Sequence, residues 1–277
     1  DLKEKLVGSM GHNPVMRLLG KGLTSFFKEQ FKSAARTGSA DRGNPEKLIT
    51  ATHSVMNLHY FFDLFPDAYL LIIVRDGRSV VESGVKSFDW DYEQAMRNWA
   101  NAAEKVLQFD RTMRSQNKKY LILKYEDLVS HTREKMTEVL KFLNMDTVCY
   151  DFTAAENLGI TGSSELRDSE GEVHWKARTK SKNFEPIKRW RHWGRSLHER
   201  FNWIAGIYLE QFEYPKQEAT GQKVMWKIWN KVLDFIFKLE MMQQQRNSFV
   251  FPLMRGLRGF LFSTAKGIDN KKRHFEK

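Results

Sequence analysis

The stretch "LLIIVRDGRSVVES", residues 70–83, decides how the rest of the chain is read. An apolar run ends at Arg75, Asp76-Gly77-Arg78 supplies turn chemistry, and a helical pattern opens near Ser79, so the stretch reads as buried strand, turn and helix. Backbone N–H groups at a helix start are unpaired and carry partial positive charge, which stabilises an anion. Arg75 and Arg78 add full charges, Gly77 permits a tight turn, and Ser83 lies one helical turn beyond Ser79 on the same face. Two readings follow: an anion site at the carboxyl end of a strand, where open α/β sheets bind ligands, or a surface ion pair of Arg75 with Asp76 that caps the helix.

Outward from this stretch, "KLITA" (47–51), "AYLLIIV" (68–74) and "KYLILK" (119–124) read as short strands. The first two are separated by a helical "HSVMNLHYFFDLF" closed by Pro66, which makes a β-α-β unit. Residues 14–36 have helical apolar spacing, a helix is expected over about 92–114, and "YEDLVSHTREKMTEVLKFLNM" reads as a loop and then a helix. Fully apolar strands alternating with helices predict an α/β domain with a parallel sheet covered on both faces. Residues 159–195 lose the pattern, and "SLHERFNWIAGIYLEQF" restores a helix. Irregular stretches of that length are usually functional or disordered.

The chain has 277 residues and 41% hydrophobic content, enough for a sizeable core. Its net charge of +11 points to an anionic partner without choosing one. The single cysteine, Cys149, excludes an internal disulfide, and no Asn-x-Ser/Thr sequon occurs, which favours a cytoplasmic setting. The start, "DLKEKLVGSM", has neither an initiator methionine nor signal-peptide character, so an upstream portion is expected. No His, Cys or carboxylate cluster has metal-ligand spacing, and no metal is expected.

The 70–83 stretch resembles the 3′-phosphate-binding segment of sulfotransferases that use 3′-phosphoadenosine-5′-phosphosulfate (PAPS). "FFDLFPDAYLLIIVRDGRSVVES", "YEDL" before an amphipathic helix, and "GSS…W…F.PI.RW" before a helix ending "QFEY" follow in that family's order, across about residues 47–214. The resemblance implies a P-loop NTPase-like sulfotransferase fold and PAPS as sulfuryl donor. It implies that Arg75 and Ser83, eight residues apart, hold the 3′-phosphate, and the charge of Arg78 at the same turn makes it a further cofactor-binding candidate. Ser163 and Ser164 are further nucleotide ligands on the same basis, or else a Gly-Ser turn. His53, just past "KLITA", is the candidate general base, since a neutral imidazole suits proton removal near pH 7; the alternative is a histidine that caps the following helix. The family's 5′-phosphosulfate loop is not found: "GKGLTS" (20–25) lacks a preceding strand and reads better as helix, and the true loop is expected upstream of Asp1.

The basic, aromatic run 178–195 reads as a lid over the phosphates and adenine in this context, in preference to a single-stranded nucleic-acid platform. The division expected is a sulfotransferase-like α/β domain over 1–216 and a basic helical tail over 217–277, where 12 Lys and Arg stand against 5 Asp and Glu. In the tail, Lys223, Lys227 and Lys231 share one face while Met225, Trp229, Leu233 and Ile236 lie away from it. That pattern suits a peripheral anionic membrane surface, or packing on the domain or a second subunit in a homo-oligomer. The acceptor is expected to be a hydroxyl or amine of a small molecule, carbohydrate or lipid. The rival functions are a related nucleotide kinase and a non-catalytic protein that binds anionic partners.

Overall fold

The structure is a computed structural model that describes residues 14–36, 48–160, 179–180, 184–217 and 223–244. The chain divides into two compact units, the first comprising residues 1–74, 102–124 and 137–148, the second 75–101, 125–136 and 149–277. Ser163 and Ser164 lie outside the described residues.

The first unit holds helix α1 (Pro14–Arg36), a 3-10 turn (Leu58–Tyr60), α2 (Phe61–Leu64), β1 (Leu70–Val74) and β2 (Tyr120–Lys124). The two strands pair in parallel, with Leu70 opposite Tyr120 and Val74 opposite Lys124. Ile72 and Leu123 are buried, and Phe62 stacks on Phe109, whose ring meets Tyr120 edge-on at 5.3 Å. Tyr120 Oη donates to Asp110 Oδ1 at 2.8 Å, so the polar end of that aromatic cluster is satisfied. Helix α1 approaches α2 through Gly20, where a Cβ would stand 1.8 Å from Leu64 O. This is a close backbone approach that only glycine allows.

Three expectations are corrected here. Residues 48–51 of "KLITA" form no strand, and the following helix shrinks to the 3-10 turn and the single turn of α2. The side chains explain part of this: Thr52 Oγ1 accepts from Ser54 N and Ser54 Oγ accepts from Met56 N, local bonds that compete with helical ones. The crossover between parallel strands is therefore made by the elements after β1, α3 (Gly77–Phe88) and α4 (Tyr92–Met113). The sheet is also not covered on both faces among the described residues, because Leu71 and Ile73 are 37% and 59% exposed. Finally, "YEDL" is no loop, since α5 (Tyr125–Ser130) begins directly at the end of β2, and α6 (Thr132–Phe142) follows.

The second unit contains α3, the first half of α4, α5, α7 (Phe152–Glu156), a 3-10 turn (Arg189–His192), α8 (Arg195–Gln211) and α9 (Lys223–Gln244). Its core gathers Val81, Met96, Trp193, Phe201 and Leu209, with Leu233, Ile236 and Phe237 from α9. The tail helix thus belongs to this unit. It is held by Arg200 of α8, whose guanidinium bonds both Glu93 carboxylate oxygens, Asn230 O and Asp234 Oδ1. Leu233 and Ile236, read as facing a membrane or as packing on the domain or a second subunit, are core residues, so this side of α9 packs on its own unit.

Candidate functional site

The sequence places an acid between Arg75 and Arg78, and that acid sets the geometry. Asp76 is the N-cap of α3: its Oδ1 accepts from Arg78 N and Arg78 Nε, both at 3.0 Å, and its Oδ2 accepts from Arg78 Nη2 at 2.7 Å. The anion favoured at this helix start is therefore the protein's own carboxylate, and Arg78 is its counter-ion. Arg78 is almost fully buried, with its guanidinium 3.8 Å from the Trp190 ring. Both early readings contained part of this, but the ion pair joins Asp76 to Arg78 and leaves Arg75 to other work.

The phrases that carried the family resemblance converge on Asp76. From "YEDL", Glu126 Oε1 accepts from Asp76 N at 3.0 Å, and the Tyr125 ring lies 4.6 Å from the Arg75 guanidinium. From "FEPIKRW", Trp190 Nε1 donates to Asp76 Oδ2 at 3.0 Å. From "QFEY", Tyr214 Oη donates to Glu126 Oε2 at 2.7 Å; burial first, and then this bond, raises the tyrosine pKa, so it stays a protonated donor. Gly77 serves packing here. A Cβ there would lie 2.3 Å from the Trp99 ring, whose Nε1 donates to Arg75 O at 3.3 Å.

Arg75 itself points into a different environment. Its Nη2 donates to Pro186 O at 2.5 Å, while its buried Nε has no hydrogen-bond partner among the described residues. Burial, with the nearby Arg189 charge, pulls the Arg75 pKa below its ordinary value against the opposing influence of Tyr125, Glu126 and Asp76. The Asp76 and Glu126 carboxylates that act on Arg75 also bond other groups, Asp76 with Arg78 and Glu126 with Tyr214. Arg189 Nη1 in turn donates to Ser83 Oγ at 3.4 Å. Arg189 thus connects to both of the expected ligands, by a hydrogen bond to Ser83 and by its charge to Arg75. Arg189 was not singled out from the sequence; its signal was the basic, aromatic character of the 178–195 run.

Two indole pins hold Arg189 there. Trp190 bonds Asp76 at the start of α3, and Trp193 Nε1 bonds Glu82 Oε2 at 2.6 Å further along the same helix. Glu82 also accepts from Tyr92 Oη at 2.8 Å, and burial followed by that bond raises the Tyr92 pKa. The Glu82 carboxyl lies below the usual range: burial would raise it, but bonds from Trp193, Tyr92 and Lys86 and the charge of His192 prevail. Trp190→Phe keeps the ring over Arg78 but removes one of the two hydrogen bonds that Asp76 Oδ2 accepts, leaving that from Arg78 Nη2. A loss of about 1–3 kcal/mol is expected in urea denaturation.

His198 of α8 packs between Trp190 and Trp193, with ring centroids at 5.3 and 5.5 Å. Burial, aided by Arg78 and opposed by Asp76, lowers its pKa to about 4. The unfolded chain binds this proton near pH 6.5 while the folded chain refuses it until about pH 4, so folding stability falls as pH drops through that window. The full loss is up to about 3 kcal/mol. Stability curves of the wild type and His198→Gln at pH 7.5 and pH 5 should converge at the lower pH by about 2 kcal/mol, the part of the loss reached by pH 5.

The other expected site residues are less involved. His53 is exposed in a bend of the first unit. Residues 20–25, "GKGLTS", lie within the unbroken helix α1, where Thr24 Oγ1 donates to Gly20 O at 2.8 Å, so they form no phosphate loop.

The profile described as Sulfotransferase family matches residues 8–148, just over half of the sequence. The chain belongs to the sulfotransferase family. Among curated relatives, a protein-tyrosine sulfotransferase of Drosophila melanogaster is 36% identical over 93 residues, covering 31% of this chain and 18% of its own length. Protein-tyrosine sulfotransferase A of Caenorhabditis elegans is 34% identical over 135 residues, 46% of this chain and 33% of its own. Protein-tyrosine sulfotransferase 2 of Gallus gallus is 28% identical over 141 residues, 47% of this chain and 36% of its own. The chain thus spans little more than a third of these relatives at most.

Proposed function

We propose that this protein transfers a sulfuryl group from PAPS to an acceptor hydroxyl, on a P-loop NTPase-like sulfotransferase fold of which β1 and β2 are part. The observation that carries the proposal is the buried Arg75 Nε, which has no hydrogen-bond partner among the described residues and lies within reach of the Arg189 charge, while Arg189 in turn donates to the Ser83 hydroxyl. Two guanidiniums and a hydroxyl suit a phosphate dianion: Arg75 Nε supplies an uncommitted buried donor, Arg189 a second fork, and Ser83 Oγ a short-range donor. These residues would hold the 3′-phosphate of PAPS. Arg78 does not share this role, because its charge is committed to Asp76 and its place is to fix the α3 start. The bound nucleotide would supply an activated sulfuryl group with a phosphate leaving group. Residues of this chain then bind, orient and neutralise charge.

His53 is proposed as the base that takes the acceptor proton, on the resemblance of its phrase alone. Because the matched relatives are named for protein tyrosine, a tyrosyl phenol is the acceptor to test first, ahead of the small-molecule, carbohydrate or lipid acceptors expected from the sequence. Transfer of labelled sulfate from PAPS to a tyrosine-containing acidic peptide tests both points. Labelled peptide is the expected result, with His53→Ala slowing turnover about a hundredfold or more at unchanged nucleotide affinity. Unchanged turnover in His53→Ala would remove that residue as base, and no transfer to any hydroxyl acceptor would refute the activity.

A further inference from the structure

Helix α9 has three sectors around its axis. Asn230, Leu233, Ile236, Phe237 and Glu240 are buried in the second unit. A second sector, centred on Val224, Ile228, Val232, Phe235 and Met242, faces solvent, with Ile228 and Phe235 60% and 62% exposed. The third carries Lys227, Lys231 and Lys238, all exposed and bordering the apolar stripe on one side. At 1.5 Å per residue the stripe from 224 to 242 is about 27 Å long. An amphipathic helix that only packs on its own domain needs one apolar face; α9 has two, and the outward one is edged with cations.

We infer that this outward face docks α9 flat onto an anionic lipid surface, with the aliphatic and aromatic side chains in the headgroup–acyl boundary and the lysines against lipid phosphates. The inference stands independently of the sulfotransferase reading. Charge complementarity selects the occupant. Residues 217–277 carry a net +7, and the whole chain +11, so a second copy would bring like charges together. A convex helix face of flexible apolar side chains fits a fluid layer, which needs no matching groove. No helix among the described residues is long and apolar enough to cross a membrane, so the contact would be at the surface. Relative to the sequence reading, the apolar side in contact changes: Leu233 and Ile236 are occupied in the core, and Val224, Ile228 and Phe235 take their place.

The test is co-sedimentation of the full chain with phosphatidylcholine vesicles that contain or lack phosphatidylserine, at low and high salt. Recovery is expected with the anionic vesicles only, and it should fall with salt. Ile228→Gln/Phe235→Gln should weaken binding about tenfold or more. Each of Lys227→Glu, Lys231→Glu and Lys238→Glu should weaken it by about fivefold or more. All five positions are exposed, and an unchanged melting temperature verifies that the variants fold. Equal recovery with and without phosphatidylserine would overturn the inference. So would variants that bind like the wild type, or a concentration-dependent dimer in light scattering that Ile228→Gln/Phe235→Gln dissolves.

Discussion

Arg75→Ala is expected to weaken binding of 3′,5′-adenosine bisphosphate by about a hundredfold, since it removes two or more charge-assisted hydrogen bonds to one phosphate. Arg75→Lys keeps the charge but loses the planar fork, and should recover only part of that loss. The nucleotide-free protein should hardly notice either change. The lost bond to Pro186 O, about 1 kcal/mol, is offset by relief of the burial and Arg189 repulsion that now depress the Arg75 pKa. This separation of binding from stability distinguishes a ligand residue from a structural one. By contrast Arg78→Ala, which leaves Asp76 buried without its counter-ion, should reduce stability first. Isothermal titration and urea denaturation on both variants check the contrast: an Arg75→Ala protein that binds normally but melts early would reverse the roles assigned here.

The second large effect concerns the link between α8, α4 and α9. Arg200 and Glu93 are 1% and 0% exposed, and their paired charges are joined by Arg97 and Asp234. Burial would raise the Asp234 carboxyl, but bonds from Trp203, Arg200 and Arg97 and the Arg200 charge hold it below the usual range. Arg200→Leu leaves Glu93 buried with only the partly exposed Arg97 as counter-ion, and should cost about 3–5 kcal/mol. The Glu93→Leu/Arg200→Leu double variant should lose clearly less than the sum of the two single variants, because the second change removes the stranded charge. Urea denaturation of the three proteins measures this, and strict additivity would show that the pair is not coupled.

Much of the fold was legible where local rules decide. The strand ending at Val74, the helix that follows and α1 each follow from apolar spacing and turn residues. "KLITA" failed because apolar content is no substitute for a ladder partner, and Thr52 and Ser54 divert the next backbone groups. The site was legible only in part. Arg75 and Ser83 stand close in sequence, whereas Arg189 reaches Ser83 across 106 residues and Trp190 reaches Asp76 across 114, distances at which periodicity carries no signal. Nor could the sequence show that Asp76 itself occupies the helix start. A local reading counts Arg75, Asp76 and Arg78 as three charges at one turn, and only the structure divides them into a buried Asp76–Arg78 ion pair and an arginine that bonds Pro186 O and keeps a buried Nε without a hydrogen-bond partner among the described residues.

The most direct test of that division is a calorimetric titration of the protein with 3′,5′-adenosine bisphosphate and, in parallel, with 5′-AMP. The two ligands differ by the phosphate that Arg75, Ser83 and Arg189 are assigned to hold. Saturable binding of the bisphosphate, tighter than 5′-AMP by about a hundredfold, is the predicted result. Equal affinity for the two nucleotides would contradict the account.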